Sequence, residues 1–405
     1  MSIGWRQIRI GDLGQVVTGR TPSSSTPELF GTEFPFITPT DLANVETYAT
    51  TGRFLSRQGY ESLKRILLAP DSICFVCIGA TIGKICLTKR PSFTNQQINS
   101  VVVDKAHHDP RFVFHLLRFN TERIKGIAGG AATPIVNKTA FCEVDVCVPG
   151  LKTQQNVGAI LGAYDDLIEN NTRRVRVLKQ MAQMLYREWF VNFRFPGNEG
   201  VKMVESEMGM IPDGWSAQSV GTVSLNFDSK RKPLSSIERS TRKGQYPYYG
   251  AATIFDFIDD FIFDGVFLLV GEDGSVITPD NRPVLQLTDG KFWPNNHTHV
   301  VQGKAPISTY YLYLHLADAD VTGCVTGAAQ PKITQANLNR IPVLVPTVQL
   351  LNSFEGIITP MFLEMALLEK KNRNLKTTCD LLLPKLVSGE VSVEQIEQEV
   401  VAEMV

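Results

Sequence analysis

At 405 residues the chain exceeds the size at which a single hydrophobic core keeps growing, so two or more domains are expected. Its 43% hydrophobic and 20% charged residues are ordinary for a globular protein. No apolar stretch reaches the ~20 residues of a membrane helix, and Met1-Ser2-Ile3-Gly4-Trp5 lacks the layout of a secretory signal, so a cytoplasmic protein is expected. A net charge of −1 argues against a generic polyanion binder, and any nucleic-acid surface must be local.

In chain order, residues 1–150 carry short β-branched and aromatic runs, at Ile73 to Ile78 and Val101-Val102-Val103, and a helical piece at Arg111 to Arg118. They read as a mixed α/β domain. Cys74 and Cys77 form a C-x-x-C, but they lie in the apolar run and no second C-x-x-C follows, so a buried strand is favoured over a zinc site. The odd total of seven irregularly spaced cysteines fits reduced thiols. His107-His108 beside Asp109-Pro110 reads as a surface turn.

Residues 151–196 form a helical segment. From Val157, the positions Leu161, Tyr164, Ile168, Asn171, Val175, Leu178, Ala182, Leu185 and Trp189 follow in alternating steps of four and three, a heptad seam. Pro149 stands just before it, where a missing donor does no harm. Residues 197–211, glycine-bearing and polar, read as a connector.

Residues 212–346 form a second mixed domain, with runs at Phe261 to Val270 and Val343-Leu344-Val345 and a helix at Thr309 to Leu316. It holds a basic cluster, Lys230-Arg231-Lys232 with Arg239, Arg242 and Lys243, followed by Tyr246, Tyr248 and Tyr249. Asp289-Gly290 reads as a hairpin turn between Leu285-Gln286-Leu287 and Phe292-Trp293, although Pro279-Asp280 with Asp289-Gly290-Lys291 also satisfies the carboxylate-and-lysine pattern of metal-dependent nucleases. His297 and His299 alternate on a strand and need no metal to share a face.

Residues 347–390 repeat the helical segment, and 391–405 form a tail. The second seam runs through Phe354, Ile358, Met361, Met365, Leu368, Asn372, Leu375, Cys379, Leu382 and Leu386, with Pro384 a candidate kink near its end. The simplest burial for two matching stripes is one helix against the other, antiparallel. Asn171 and Asn372 on the seams either fix register or sit at a tolerated edge.

The two halves are one frame written twice. Gly130-Ala131-Ala132-Thr133-Pro134 returns as Gly327-Ala328-Ala329-Gln330-Pro331, a shift of 197 positions (328 − 131) that also superposes Val148-Pro149 on Val345-Pro346 and Leu178-Lys179 on Leu375-Lys376. Gly4-Trp5 is echoed by Gly214-Trp215, and between these anchors the halves diverge. A repeated frame with unlike inserts is one scaffold presenting two different readers.

This layout resembles the DNA-specificity subunits of type I restriction–modification systems. Gly209-Met210-Ile211-Pro212-Asp213-Gly214-Trp215 is similar to the start of that family's second recognition domain, and Thr326-Gly327-Ala328-Ala329-Gln330-Pro331-Lys332-Ile333 to its end. Trp189-Phe190-Val191-Asn192-Phe193 and Leu386-Val387-Ser388-Gly389-Glu390 are similar to the ends of its spacer helices. The copies differ at Thr133 against Gln330 and at Asn95-Gln96-Gln97 against Asn296-His297-Thr298-His299, as two readers of unlike half-sites would.

The resemblance implies a non-catalytic, sequence-specific double-stranded DNA reader with a bipartite asymmetric target. It also implies two modification (methyltransferase) subunits and restriction (endonuclease and translocase) subunits as partners, with S-adenosylmethionine, ATP and magnesium on those partners and no cofactor on this chain. Helices of about 35 residues span roughly 50 Å and suit half-sites about one DNA turn apart.

Arginine and lysine suit guanine and phosphate, and asparagine and glutamine suit adenine. The DNA-binding candidates are therefore Thr18, Arg20, Thr21, Lys84, Asn95, Gln96 and Lys138 in the first domain. In the second they are Lys230, Arg231, Arg242, Lys243, Tyr248, Asn296, His297 and Lys332.

Neither the methylase tetrapeptide, Asn or Asp followed by Pro-Pro and an aromatic, nor a G-x-x-x-x-G-K phosphate loop occurs. The competing readings are a coiled-coil adaptor that binds proteins only and a metal-dependent nuclease.

Overall fold

The protein is described by a computed structural model covering residues 4–23, 25–42, 47–129, 133–327, 330–391 and 393. Parts of the repeated motif, Gly130-Ala131-Ala132 and Ala328-Ala329, lie outside the described residues, as do Met1-Ser2-Ile3 and nearly all of the tail. The chain divides into two units, residues 1–172 with 370–405, and residues 173–369. Each unit holds one recognition domain, part of the first long helix, Leu151–Tyr186, and part of the second, Val348–Ser388.

In the first unit a four-stranded antiparallel sheet runs in the order Gly14–Thr18, Ile98–Val103, Ile73–Val76, Ile85–Leu87. Ile73–Val76 is fully buried, which explains its unbroken apolar sequence. Cys74 faces Cys86 across the sheet, and all seven cysteines are free thiols. The helix Pro110–Phe119, capped by Asp109 and started by a proline, buries Phe112 to Leu117. Beside it His107 is exposed, but His108 is buried against Gln154, so only half of that pair forms a surface turn.

The core continues into the long helices. Val157 and Leu161 pack in one cluster with Cys379, Leu383, Leu386 and Val387. Pro384 does not break the second helix, which runs on to Ser388 and stops at Gly389, whose φ of 72° suits the left-handed turn after a helix.

The second unit repeats the strand order: Ser224–Asn226, Thr298–Gly303, Phe267–Gly271, Leu285–Thr288. In each unit the recognition domain closes on a strand pair, Arg6–Arg9 with Asp145–Val148 and Ser216–Ser219 with Pro342–Val345. Gly4 and Gly214, at φ 88° and 82°, turn the chain into these strands in a conformation that a side chain disfavours.

Within the second unit the helices run antiparallel, since Arg174 pairs with Glu364 at 2.6 Å while Trp189 packs on Phe354 at 5.5 Å. The first helix ends in a π-turn, Arg187–Val191, where a regular heptad is expected. The wider turn lets both Trp189 and Phe190 face inward, and Phe190 meets Phe354, Tyr311 and Trp215 at 4.7, 5.0 and 5.8 Å.

Two sequence expectations are corrected in this unit. The connector contains a hairpin, Met203–Ser206 with Gly209–Pro212, and buries Ile211 beside Trp215. Asp289-Gly290 is a turn but not a hairpin: Leu285–Thr288 pairs with Phe267–Gly271, whereas Lys291–Pro294 belongs to a second sheet with Lys243–Tyr249 and Phe263–Asp264. Apolar alternation on both sides of Asp-Gly marks two strands without saying that they pair with each other.

Candidate nucleic-acid interface

Each recognition domain gathers four loop segments at the end of its main sheet. In the first domain the chain leaves the strand at Thr18, whose hydroxyl donates to Asn99 Oδ1 at 2.7 Å. Gly19 N–H donates to the Ile98 carbonyl and Arg20 N–H to that of Thr94. A β-carbon on Gly19 would lie 2.3 Å from the carbonyl oxygens of Thr94 and Asn95, so this crossing requires glycine. Thr21 Oγ1 then donates to Gln96 Oε1 at 2.6 Å.

The third segment joins through Cys77 N–H, which donates to the Gln97 carbonyl. The fourth joins through Gly79 N–H to the Pro134 carbonyl and Val136 N–H to the Cys77 carbonyl. Asn137 caps the short helix Lys138–Cys142, which leaves Lys138 exposed at its first position. Lys84 is half-exposed in the turn after Val76.

The second domain uses the same bonds at shifted positions. Glu272 N–H donates to the His297 carbonyl, Gly274 N–H to that of Pro331, and Ile333 N–H to that of Glu272. Asn295, not Asn296, is therefore the counterpart of Asn95: each accepts from the N–H two residues on, His297 at 2.8 Å and Gln97 at 3.2 Å. It follows that Asn296 matches Gln96, His297 matches Gln97 and His299 matches Asn99. The sequence comparison of these loops was out of register by one residue.

The neutral pair Thr18–Asn99 becomes a charged pair, Asp228–His299, at 2.6 Å. Arg231 takes the place of Thr21 and is nearly enclosed. Its guanidinium meets Glu272 Oε2 at 2.6 Å, the Thr298 carbonyl at 2.7 Å, the Asn296 carbonyl at 3.3 Å and Asp228 Oδ2 at 3.7 Å. Lys332 reaches the other Glu272 oxygen at 3.2 Å, and His297 bonds Asp273.

Asp228, Glu272 and His299 are close enough together to surround an ion. The Arg231 guanidinium and the Lys332 ammonium already neutralise the two carboxylates, which makes this an ion-pair cluster rather than a metal centre. Both carboxyls are held below the usual range: burial alone would raise them, but the hydrogen bonds and charges of His299 and Arg231 outweigh it.

The candidates thus separate into two groups. Arg20, Thr21, Gln96, Lys138, Lys230 and Asn296 are exposed, and Lys84, His297 and Lys332 are half-exposed on the same loop clusters. Lys230 Nζ lies 5.3 Å from the Phe227 ring centre, and neither it nor Arg20, Lys84 or Lys138 has an acidic partner among the described residues.

The other group is buried or bonded to neighbouring groups of its own domain. Tyr248 is 1% exposed, and its hydroxyl accepts from Leu234 N–H at 2.9 Å, so it cannot reach a base. Arg231 spends its donors on the fold, Asn95 holds its own turn by bonding Gln97, and the Thr18 hydroxyl is committed to Asn99. Arg242 stacks on Trp293 at 5.1 Å and pairs with Asp259, while Lys243 is exposed but bonded to Asp256. Sequence reading missed Asp228 and Glu272 as the anchors of Arg231, because nothing local distinguishes a carboxylate that folds inward from a solvated one.

A duplicated α/β frame, carrying two unlike sets of cationic and amide side chains on equivalent loop clusters, defines a tandem recognition protein. The family described as the type I restriction modification DNA specificity domain matches residues 2–180 and 212–350, and the chain belongs to that family. It is the non-catalytic specificity component of a type I restriction–modification system, a complex with modification and restriction subunits that acts on DNA.

The chain is 26% identical to the type I restriction enzyme MjaIX specificity subunit of Methanocaldococcus jannaschii, over 97% of this chain and 94% of that one. It is 36% identical to the HindI specificity subunit of Haemophilus influenzae over 36% of this chain and 32% of that one. The solved S subunit of a type I system from M. genitalium superposes with a TM-score of 0.60 at 16% identity, covering 95% of this chain and 96% of that one, which supports the fold.

Proposed function

We propose that each recognition domain reads one half of a bipartite, asymmetric duplex target, using the exposed side chains of its four-segment loop cluster. In the first domain these are Arg20, Thr21, Lys84, Gln96 and Lys138. In the second they are Lys230, Asn296, His297 and Lys332. The observation that carries this reading is the pairing of equivalent hydrogen-bond frames with side chains that differ in reach, Gln96 against Asn296 and Arg20 against Lys230, and in kind, Gln97 against His297. Amides suit adenine edges, and the cations suit guanine or phosphate.

The chain addresses two modification subunits and, with them, restriction subunits. S-adenosylmethionine, ATP and magnesium belong to those partners, so methyl transfer and cleavage occur outside this chain. The length of the long helices sets the unread gap between the half-sites. No helix among the described residues is long and apolar enough to cross a membrane, and a cytoplasmic site of action suits a subunit that reads DNA.

The nuclease alternative is not favoured. Both halves of the chain match the DNA specificity domain, which favours a reader over a cutter. A protein-only adaptor would not need two unlike cationic loop clusters. Competition binding of the assembled complex to duplex DNA tests the proposal: salt-sensitive, sequence-selective binding is expected, and its absence would refute it.

A further inference from the structure

In the second recognition domain His299 is 1% exposed, and hydrogen-bond acceptors face both of its ring nitrogens. Nδ1 lies 2.6 Å from Asp228 Oδ2, and Nε2 lies 2.8 Å from the Ile333 carbonyl oxygen. A carbonyl only accepts, so Nε2 must carry a proton. An ionised Asp228 also only accepts, so Nδ1 must carry one too. A neutral imidazole has one proton and would leave one of these short contacts between two acceptors.

The ring, carried at the end of the second loop segment, also joins the other three. Asp228 belongs to the first segment and accepts Val300 N–H through its other oxygen, at 2.8 Å. Ile333 belongs to the last. Glu272, in the third, lies 3.7 Å from Nδ1. The remaining charged groups facing this point are Arg231, which bridges Asp228 and Glu272, and Lys332 on Glu272, with His297 and Asp273 paired just beyond. The first domain fills the same positions with Thr18 and Asn99, which do not titrate near neutrality.

We infer that His299 is a positioning residue that, as an imidazolium, clamps the reading loops of the second domain, so that one half-site is read in a pH-dependent way and the other is not. The inference rests on the proposal that each domain reads one half-site. Burial alone would lower the pKa of His299, but the Asp228 hydrogen bond, the Ile333 carbonyl and the two carboxylate charges raise it above the ordinary value. For a raised pKa the contribution is complete below the unfolded-state value and is lost as pH rises through the folded-state value. The clamp therefore weakens on the alkaline side.

The test uses the complex assembled with modification subunits and three duplexes: the full target, and the target with either half-site scrambled. Discrimination at each half-site is measured from about pH 6.5 to about pH 9. For the wild-type chain, discrimination at one half-site falls several-fold with rising pH, while the other stays constant.

Installing the first domain's neutral pair, D228T with H299N, flattens the sensitive profile and leaves the insensitive one unchanged. Equal pH profiles for both half-sites in the wild type would overturn the inference without any variant having to fold. So would an unchanged profile in the double variant. A complex that discriminates at neither half-site at any pH would instead refute the half-site reading itself.

Discussion

Asn171 donates from Nδ2 to Asn372 Oδ1 at 2.9 Å, joining the two long helices within the first unit through the polar residue of each apolar seam. Asn372 Nδ2 reaches Thr172 Oγ1 at 3.1 Å and the Ile168 carbonyl at 3.3 Å, so the Asn372 amide is satisfied at both its oxygen and its nitrogen. An asparagine on a seam costs stability against leucine, but its partner admits only one register.

Asn171→Leu alone strands the Asn372 carbonyl oxygen and should destabilise the protein by about 1–3 kcal/mol. The double replacement by leucine should recover most of that loss. Urea unfolding of the two single variants and the double variant gives the coupling; additive losses would mean that the amides do not act as a pair.

Gly19→Ala should weaken reading of one half-site. The new methyl group would press on the carbonyl oxygens of Thr94 and Asn95 and push the first segment off the Gln96 loop. Overpacking of this kind costs about 1–3 kcal/mol. Discrimination at one half-site should fall in binding assays while the other half-site is unaffected; equal losses at both would contradict the assignment of one domain to one half-site.

Cations and amides should separate in binding assays. Lys138→Gln and Lys230→Gln should weaken binding on all sequences alike and each reduce the salt slope by about 1. Gln96→Ala and Asn296→Ala should each relax one half-site by about 1–3 kcal/mol with the salt slope unchanged. An amide variant that weakens every sequence equally would remove that residue from the reading set.

Tyr248→Phe removes only a hydroxyl that is bonded to the Leu234 backbone. A stability loss of about 1 kcal/mol is expected, with no change in the preferred sequence. A changed preference, measured by selection from random duplexes, would return Tyr248 to the interface.

Four residues inserted at Gln180-Met181-Ala182 lengthen the first helix by roughly 6 Å and little more than one turn. The preferred half-site gap should change, or assembly should fail. An unaltered gap would contradict the spacing role of the helices.

The helical frame was legible in the sequence because a heptad stripe leaves every seam position chemically marked, and none of the twenty seam positions is exposed. The reading loops were legible only as regions. Arg231 and Lys230 are adjacent and alike in sequence, yet one is nearly enclosed by Glu272 and backbone carbonyls while the other faces solvent. That choice depends on Asp228 and Glu272, which only the folded sheet brings together. The one-residue register of Asn295 was hidden for a similar reason: an adjacent Asn296 offers the same side chain, and only the strand pairing decides between them. The hairpin within residues 203–212 carries little apolar signal, since its burial falls on a few residues such as Ile211.

The most direct test of the central claim, that this chain dictates which DNA sequence its partners modify, is a map of methylated adenines in the host genome with and without the gene. The account predicts that one split motif with unlike halves loses methylation when the gene is removed, and that the Gln96→Ala or Asn296→Ala chain restores it with one half relaxed. An unchanged methylation map would contradict it.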